Sequence, residues 1–425
     1  MQFMLPARRA VAIGAGTVLA LAPAVAGHAA PAVSTVRVSQ AADGAEPDSN
    51  STDPAITPDG RYVLFGSNAT NLIPGDTNGV RDLFVRDAAT GELDLVTRGL
   101  NGAQSNGAAY NGRISDNGRF VAYWSAASNL APDDTNGVDD IFVYDRQTAS
   151  TTRLPGGLYE ATFPDISGTG RYVAYSTRSA LLPEDTDLFS DLYLWDRTTK
   201  AVTLLVDGGD GENSSPVMSS NGRWITFTSS STNLTKDTVA SGNNSYLLDR
   251  TTGTVTLVSK ASDGTPASVG SYPQSISDNG RYIAFTSAAT NLVAGDENGE
   301  TDVFLHDRVT GRTVAASSTP DGATGDGASY DPDVSPDGRY VSYFSLSQNL
   351  TGEALPEWDI HTYLYDRVNG TNTVVSLPAE GAGSGGGWTS AVSSGGRFVA
   401  YESFGNGLVD GDTNDEMDIF VTQLY

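Results

Sequence analysis

The chain has 425 residues, and its 51 acidic side chains outnumber 25 basic ones, for a formal net charge of −26. That balance repels phosphate backbones, which excludes a nucleic-acid partner, and it attracts divalent cations. The absence of cysteine excludes disulfides and thiol catalysis, while 47 glycines and 19 prolines suit many short strands and turns.

Residues 1–29 read as a signal peptide. Arg8 and Arg9 form a basic n-region, Ala10 to Ala26 an apolar stretch, and Gly27 and Ala29 the small residues of a cleavage site after Ala29. The apolar stretch is short for a membrane anchor. Export is therefore expected, to the periplasm or the medium, with no membrane anchor. Residues 30–425 are expected to form a single, monomeric domain.

The rest of the chain is one pattern repeated. A Gly-Arg turn recurs with its arginine at Arg61, Arg119, Arg171, Arg223, Arg281, Arg339 and Arg397, at intervals of 58 or 52 residues. Each arginine opens an alternating apolar run such as Tyr62-Val63-Leu64-Phe65, enriched in β-branched and aromatic residues as a strand requires. A polar loop leads to a third strand such as Asp82-Leu83-Phe84-Val85-Arg86-Asp87, and a shorter fourth follows, as in Thr254 to Val258. No stretch of the mature chain has convincing helical periodicity.

A four-stranded repeat of this length is the signature of a propeller blade. The seventh copy stops after its third strand, Asp418 to Val421. An orphan strand, Ser34 to Ser39, stands at the start of the mature chain and is expected to complete the last blade. The expected fold class is thus all-β: a seven-bladed β-propeller of four-stranded antiparallel blades, closed by the N-terminal strand. Closure removes two bare sheet edges.

The run S-x-[DN]-G-R-[YFW]-[VI]-x-[FY]-x-S followed by D-[ILV]-[FY]-[VL]-x-D resembles the TolB-like, or PD40 (WD40-like), propeller repeat over residues 34–425. The resemblance implies a propeller that docks proteins or gates access to a partner domain. Neither the additional N-terminal domain of TolB itself nor a hydrolase domain is expected, and residues 34–425 have no recurring Gly-His of true WD40 repeats.

Five of the loops between second and third strands carry Asp-x-[Asn/Asp]-x-x-x-Asp. They are Asp76, Asn78, Asp82; Asp134, Asn136, Asp140; Asp185, Asp187, Asp191; Asp296, Asn298, Asp302; and Asp412, Asn414, Asp418. Oxygen ligands at alternating loop positions suit Ca²⁺. The same residues also serve as turn caps. Copies four and six lack the pattern.

No catalytic constellation is expected. Outside the signal segment the only histidines are His306 and His361, and His306 is expected half-exposed on its strand. There is no Gly-x-Ser-x-Gly elbow. The glycine-rich run Gly381 to Gly386 has no helix after it and reads as a loop. The repeated Arg and the Asp ending each third strand, such as Arg281 and Asp307, are expected to form a cross-strand ion pair, with Thr422 leaving Arg397 without one.

Binding is expected on the long-loop face, near Tyr110, Tyr272, Tyr330, Trp358 and Trp388. The expected function is a non-enzymatic scaffold for a protein, peptide or glycan. The alternatives are a metal-dependent propeller enzyme of lyase or lactonase type, or a calcium-stabilised cell-surface structural protein.

Overall fold

The computed structural model describes residues 34–207, 209–352, 355, 360–378 and 384–425. The signal-peptide reading, Trp358 and the first half of the Gly381 to Gly386 run lie outside these residues. Among the described residues 28 strands form seven four-stranded antiparallel sheets, six of them simple meanders and the seventh completed by the N-terminal strand. The first strands of neighbouring blades touch all round the ring and surround its axis. In the fifth blade the four strands are Ser271–Ile276, Tyr282–Ser287, Asp302–Asp307 and Arg312–Ala315. No helix among the described residues is long and apolar enough to cross a membrane.

Burial explains the apolar character of the two middle strands. In the fifth blade every residue from Tyr282 to Leu305 that lies in a strand is buried, because both sheet faces are covered by adjacent blades. Seven apolar clusters result, one at each blade-to-blade interface. One aromatic pair sits across the middle strands of every blade, for example Phe285 and Phe304 at 5.5 Å and Tyr123 and Phe142 at 5.7 Å. Such pairs contribute about 0.5–1.5 kcal/mol each beyond area burial.

The ring closes as the sequence predicts. Ser34–Arg37 pairs antiparallel with Asp418–Gln423, in register Ser34 with Gln423 through Arg37 with Phe420. The Val38 amide then donates to the Ile419 carbonyl at 2.8 Å. The Ser39 hydroxyl donates to Asp418 Oδ1 at 2.6 Å, and Val38 packs with Phe65, Leu72 and Ile419.

The short-turn face explains each letter of the Gly-Arg-aromatic motif. The seven turn glycines, Gly60 to Gly396, have φ between +64° and +77°. A Cβ on each would come within 2.1–2.8 Å of the aromatic ring that follows the arginine in the preceding blade. Glycine is therefore required twice over, for its backbone and for its lack of bulk. Six of the seven arginines form the predicted cross-strand pair, as Arg281 Nη2 does with Asp307 at 2.7 Å. Arg397 has no carboxylate partner among the described residues and lies over the Phe398 ring. His306 departs from expectation. It is buried rather than half-exposed, because Lys260 and Ser262 from the fourth blade bond to its neighbour Thr313 and cover it. That burial pushes its imidazole down to about 4.

Two outcomes are expected on melting. Val38→Ala should cost about 2 kcal/mol, and deletion of Ser34–Ser39 should destabilise the whole domain; a deletion variant melting like the intact chain would refute closure. Gly280→Ala, facing Trp224, should cost about 3 kcal/mol. Gly299→Ala, with a similar φ but nothing within 4 Å, should cost only about 1 kcal/mol.

Candidate functional site

The first strands do more than pair. In six blades they carry one extra residue opposite the second strand, a β-bulge, and in five of these the bulge falls at the same position. There the bulged residue is Asp53, Asn111, Phe163, Ser215 or Asp331, each with φ between +47° and +55°. Pro or Gly follows each one. Non-glycine residues held there cost on the order of 1 kcal/mol each and cluster at functional sites. Here Asp53, Asn111, Ser215 and Asp331 line a central channel, a cavity of about 420 Å³.

The channel is acidic. Asp53, Asp116, Asp165, Asp278, Asp331 and Asp333 line it, against Arg113 as its one cationic lining residue. Some of these acids are fasteners between blades. Asp165 accepts from the Met218 amide at 2.5 Å, and Asp333 accepts from the Val392 amide at 2.8 Å and the Ser275 hydroxyl at 2.7 Å. Others sit at the mouth. Asp331 accepts from Gln274 at 3.0 Å and Thr389 at 3.2 Å, and Asp53 from Arg81 at 2.6 Å. Glu402 accepts from the Asp53 amide at 2.9 Å. Burial pushes the carboxyls of Asp165 and Asp278 up to about 6 and that of Glu402 up to about 7, and it raises those of Asp331 and Asp333.

An aromatic rim surrounds this mouth on the long-loop side. Tyr110 stacks on Trp124 at 4.7 Å, Tyr330 meets Phe344 at a tilt at 5.5 Å, and Trp388 meets Phe404 edge-on at 5.6 Å. Tyr110, Phe163, Tyr272, Tyr330 and Phe404 all remain exposed. Tyr272 and Tyr330 flank a second hollow with Gln274 and Thr301. The rim aromatics Tyr110, Tyr272, Tyr330 and Trp388 are among those expected from the sequence. The channel acids were not singled out, although the recurring residue-Pro/Gly step within the first strands marks them.

The five predicted Asp loops all lie between second and third strands, on the same face. Their surroundings differ. Asn78 and Asn298 donate to Asp82 and Asp302 at 2.8 and 2.9 Å, and the Thr97 and Ser317 hydroxyls occupy the other oxygens of those carboxylates at 2.5 and 2.7 Å. Arg153 pairs with Asp140 at 2.7 Å, and Arg37 with Asp418 at 3.2 Å. The third blade alone, among the described residues, gathers three carboxylates whose ligand atoms lie within 4.8 Å of one another: Asp185, Asp187 and Asp191. Asn244 and His361 hold the Asp82 position in the two blades without the pattern.

No protein-family profile matches the sequence, and no curated protein is significantly similar to it. Solved structures are similar in fold. The β-propeller domain of the Trilobed protease from Pyrococcus furiosus aligns with a TM-score of 0.56 at 11% identity, over 89% of this chain and 98% of that one. The fold is a seven-bladed β-propeller. An oligogalacturonate lyase in complex with manganese aligns at 0.54 and 13% identity, over 92% and 93%. TolB from Acinetobacter baumannii aligns at 0.40 and 18% identity, over 62% of this propeller and about half, 53%, of the TolB chain. The Pyrococcus propeller is described as having an open velcro topology, whereas this ring is closed by a paired strand.

The mouth carboxyls make stability depend on pH. Above about pH 7 Glu402 is ionised in the folded and unfolded chains alike, and the folded state bears the burial penalty. Between about 7 and its ordinary 4.5, only the folded chain holds the proton, so stability rises as pH falls through that window. Asp87 and Asp307, held low by hydrogen bonds from arginine, act oppositely below about pH 4. The melting midpoint should peak between pH 4 and 6. Glu402→Gln should flatten the climb from pH 7 to 5, and an unchanged slope would remove Glu402 from this account.

Proposed function

We propose that the chain is an exported, non-enzymatic propeller that binds a basic peptide segment at the long-loop mouth of its channel. The observation that carries this reading is the excess of six carboxyl groups over one guanidinium beneath a rim of exposed aromatics. A lysine or arginine side chain entering the mouth gains charge-assisted bonds from Asp331 and Glu402 and the ring face of Tyr330. Burial of carboxylates short of cations is costly, and such a ligand relieves that cost. Export rests on Arg8, Arg9 and the apolar run after them.

An enzyme reading draws less support. The likeness to a lyase is one of fold, and fold does not carry chemistry. His306 and His361 lie in third strands and neither lines the channel, so among the described residues a metal there would be held by carboxylates and amides alone.

Titration calorimetry of the full chain tests the proposal. A lysine-rich peptide should bind with an affinity that falls as salt rises, and the same peptide acetylated on its lysines should bind roughly tenfold or more weaker. Asp331→Asn should weaken the basic peptide about tenfold. Equal binding of both peptides, or tighter salt-insensitive binding of a neutral oligosaccharide, would overturn it. If export is right, the protein recovered outside the cytoplasm begins at Ala30.

A further inference from the structure

The third blade breaks the pattern of its sisters in a way that removes donors and adds charge. Asp187 stands where four other blades have an asparagine whose amide bonds to the last aspartate of the loop. Val206 pairs with Leu192, so Asp207 stands where the first and fifth blades place Thr97 and Ser317, whose hydroxyls cap that aspartate. Among the described residues no arginine pairs with this loop's carboxylates as Arg153 and Arg37 do in the second and seventh blades.

The consequence is a set of buried oxygen atoms without donors. Asp191 is fully buried, and among the described residues its Oδ2 has no hydrogen-bond partner; neither does Oδ1 of Asp185. A residue from outside the loop makes the same point independently. Asn213, the first residue of the next blade's first strand, is fully buried with its amide nitrogen 3.2 Å from Asp191 Oδ1. Its own Oδ1 also lacks a donor. Asp185 has one further contact, the Tyr193 hydroxyl, which donates to its other oxygen. Three carboxylates and an amide oxygen, all hard donors and with no ion pair to a cation among the described residues, are the chemistry of a Ca²⁺-type site.

We propose that the loop from Asp185 to Asp191, with Asn213 of the adjacent blade, binds one divalent cation of the Ca²⁺ class. The site is separate from the channel and independent of any peptide bound there. It joins the third blade to the fourth, because Asp191 and Asn213 belong to different sheets.

The test is Ca²⁺ titration of the EDTA-treated full chain, with Mg²⁺ as a second arm. One site per chain is expected, with a melting midpoint that rises with Ca²⁺. Asp187→Asn installs the residue of the sister blades and should fold, yet it should weaken Ca²⁺ at least tenfold. Asp302→Asn, in the fifth blade, should leave Ca²⁺ binding unchanged. Terbium luminescence excited through tyrosine should fall in Tyr193→Phe while the stoichiometry stays at one. Wild-type binding retained by Asp187→Asn, binding lost in Asp302→Asn, several equal sites, or no binding by a folded chain at millimolar Ca²⁺ would each overturn the proposal.

Discussion

The contact on which the ring depends is a glycine pressed against its neighbour's aromatic ring. Each blade offers a turn glycine with no Cβ and receives, on its other side, the glycine of the next blade. Five of these junctions add a clamp. Arg308 lies 3.7 Å from the centre of the Trp224 ring while donating to the Gly280 carbonyl at 3.0 Å, so one side chain holds the ring and the turn that packs on it. Arg146, Arg197, Arg250 and Arg367 repeat the arrangement on Tyr62, Phe120, Tyr172 and Tyr282. Tyr340 is met instead by Tyr425, and the junction of Phe398 with Gly60 has no arginine of this kind. That last junction is the one the N-terminal strand secures. The loss of a clamp and the gain of a closing strand therefore fall near the same seam.

Two faces with different physics follow from the meander. The short-turn face is tied down. Its arginines pair with aspartates, and its turns bond to one another, as the Asp116 amide does to Gly168 and the Gly168 amide to Ser220. The opposite face carries the long loops, where acids outnumber the few cations, such as Arg37, Arg81 and Arg153, that pair with them. Most of the chain's positive charge is spent on the first face, so the net charge of −26 is expressed on the second. A partner that reads charge meets a polarised molecule.

What could be read from the sequence was what repeats locally. The Gly-Arg-aromatic spacing gives the blades, and the stray strand at Ser34 gives closure, because both follow from edges and turns within one repeat. The channel was harder. Asp53-Pro54, Asn111-Gly112, Phe163-Pro164, Ser215-Pro216 and Asp331-Pro332 share a backbone shape but no side-chain chemistry, so a search for repeated residues passes over them. His306 was misjudged because its cover comes from the preceding blade. The Asp loops look alike for the same reason in reverse. What separates them lies far away in sequence, as with Arg37 and Asp418, 381 residues apart.

The strained first strands show how such a scaffold acquires specificity. A bulge recurs at one fixed height in five blades, and the Pro or Gly that follows is what recurs with it. The residue at the bulge is then free to vary among Asp, Asn, Ser and Phe without disturbing the clamps below. Gln274, in the fifth blade, reaches the same ring without a positive φ, because Pro273 shifts the bulge by one residue. Stability and recognition are thereby carried by different layers. Packing at the short-turn end tolerates little change, whereas the mouth can change its chemistry one blade at a time. The concentration of acids and aromatics there is thus a property of the mouth itself and not a by-product of folding the ring.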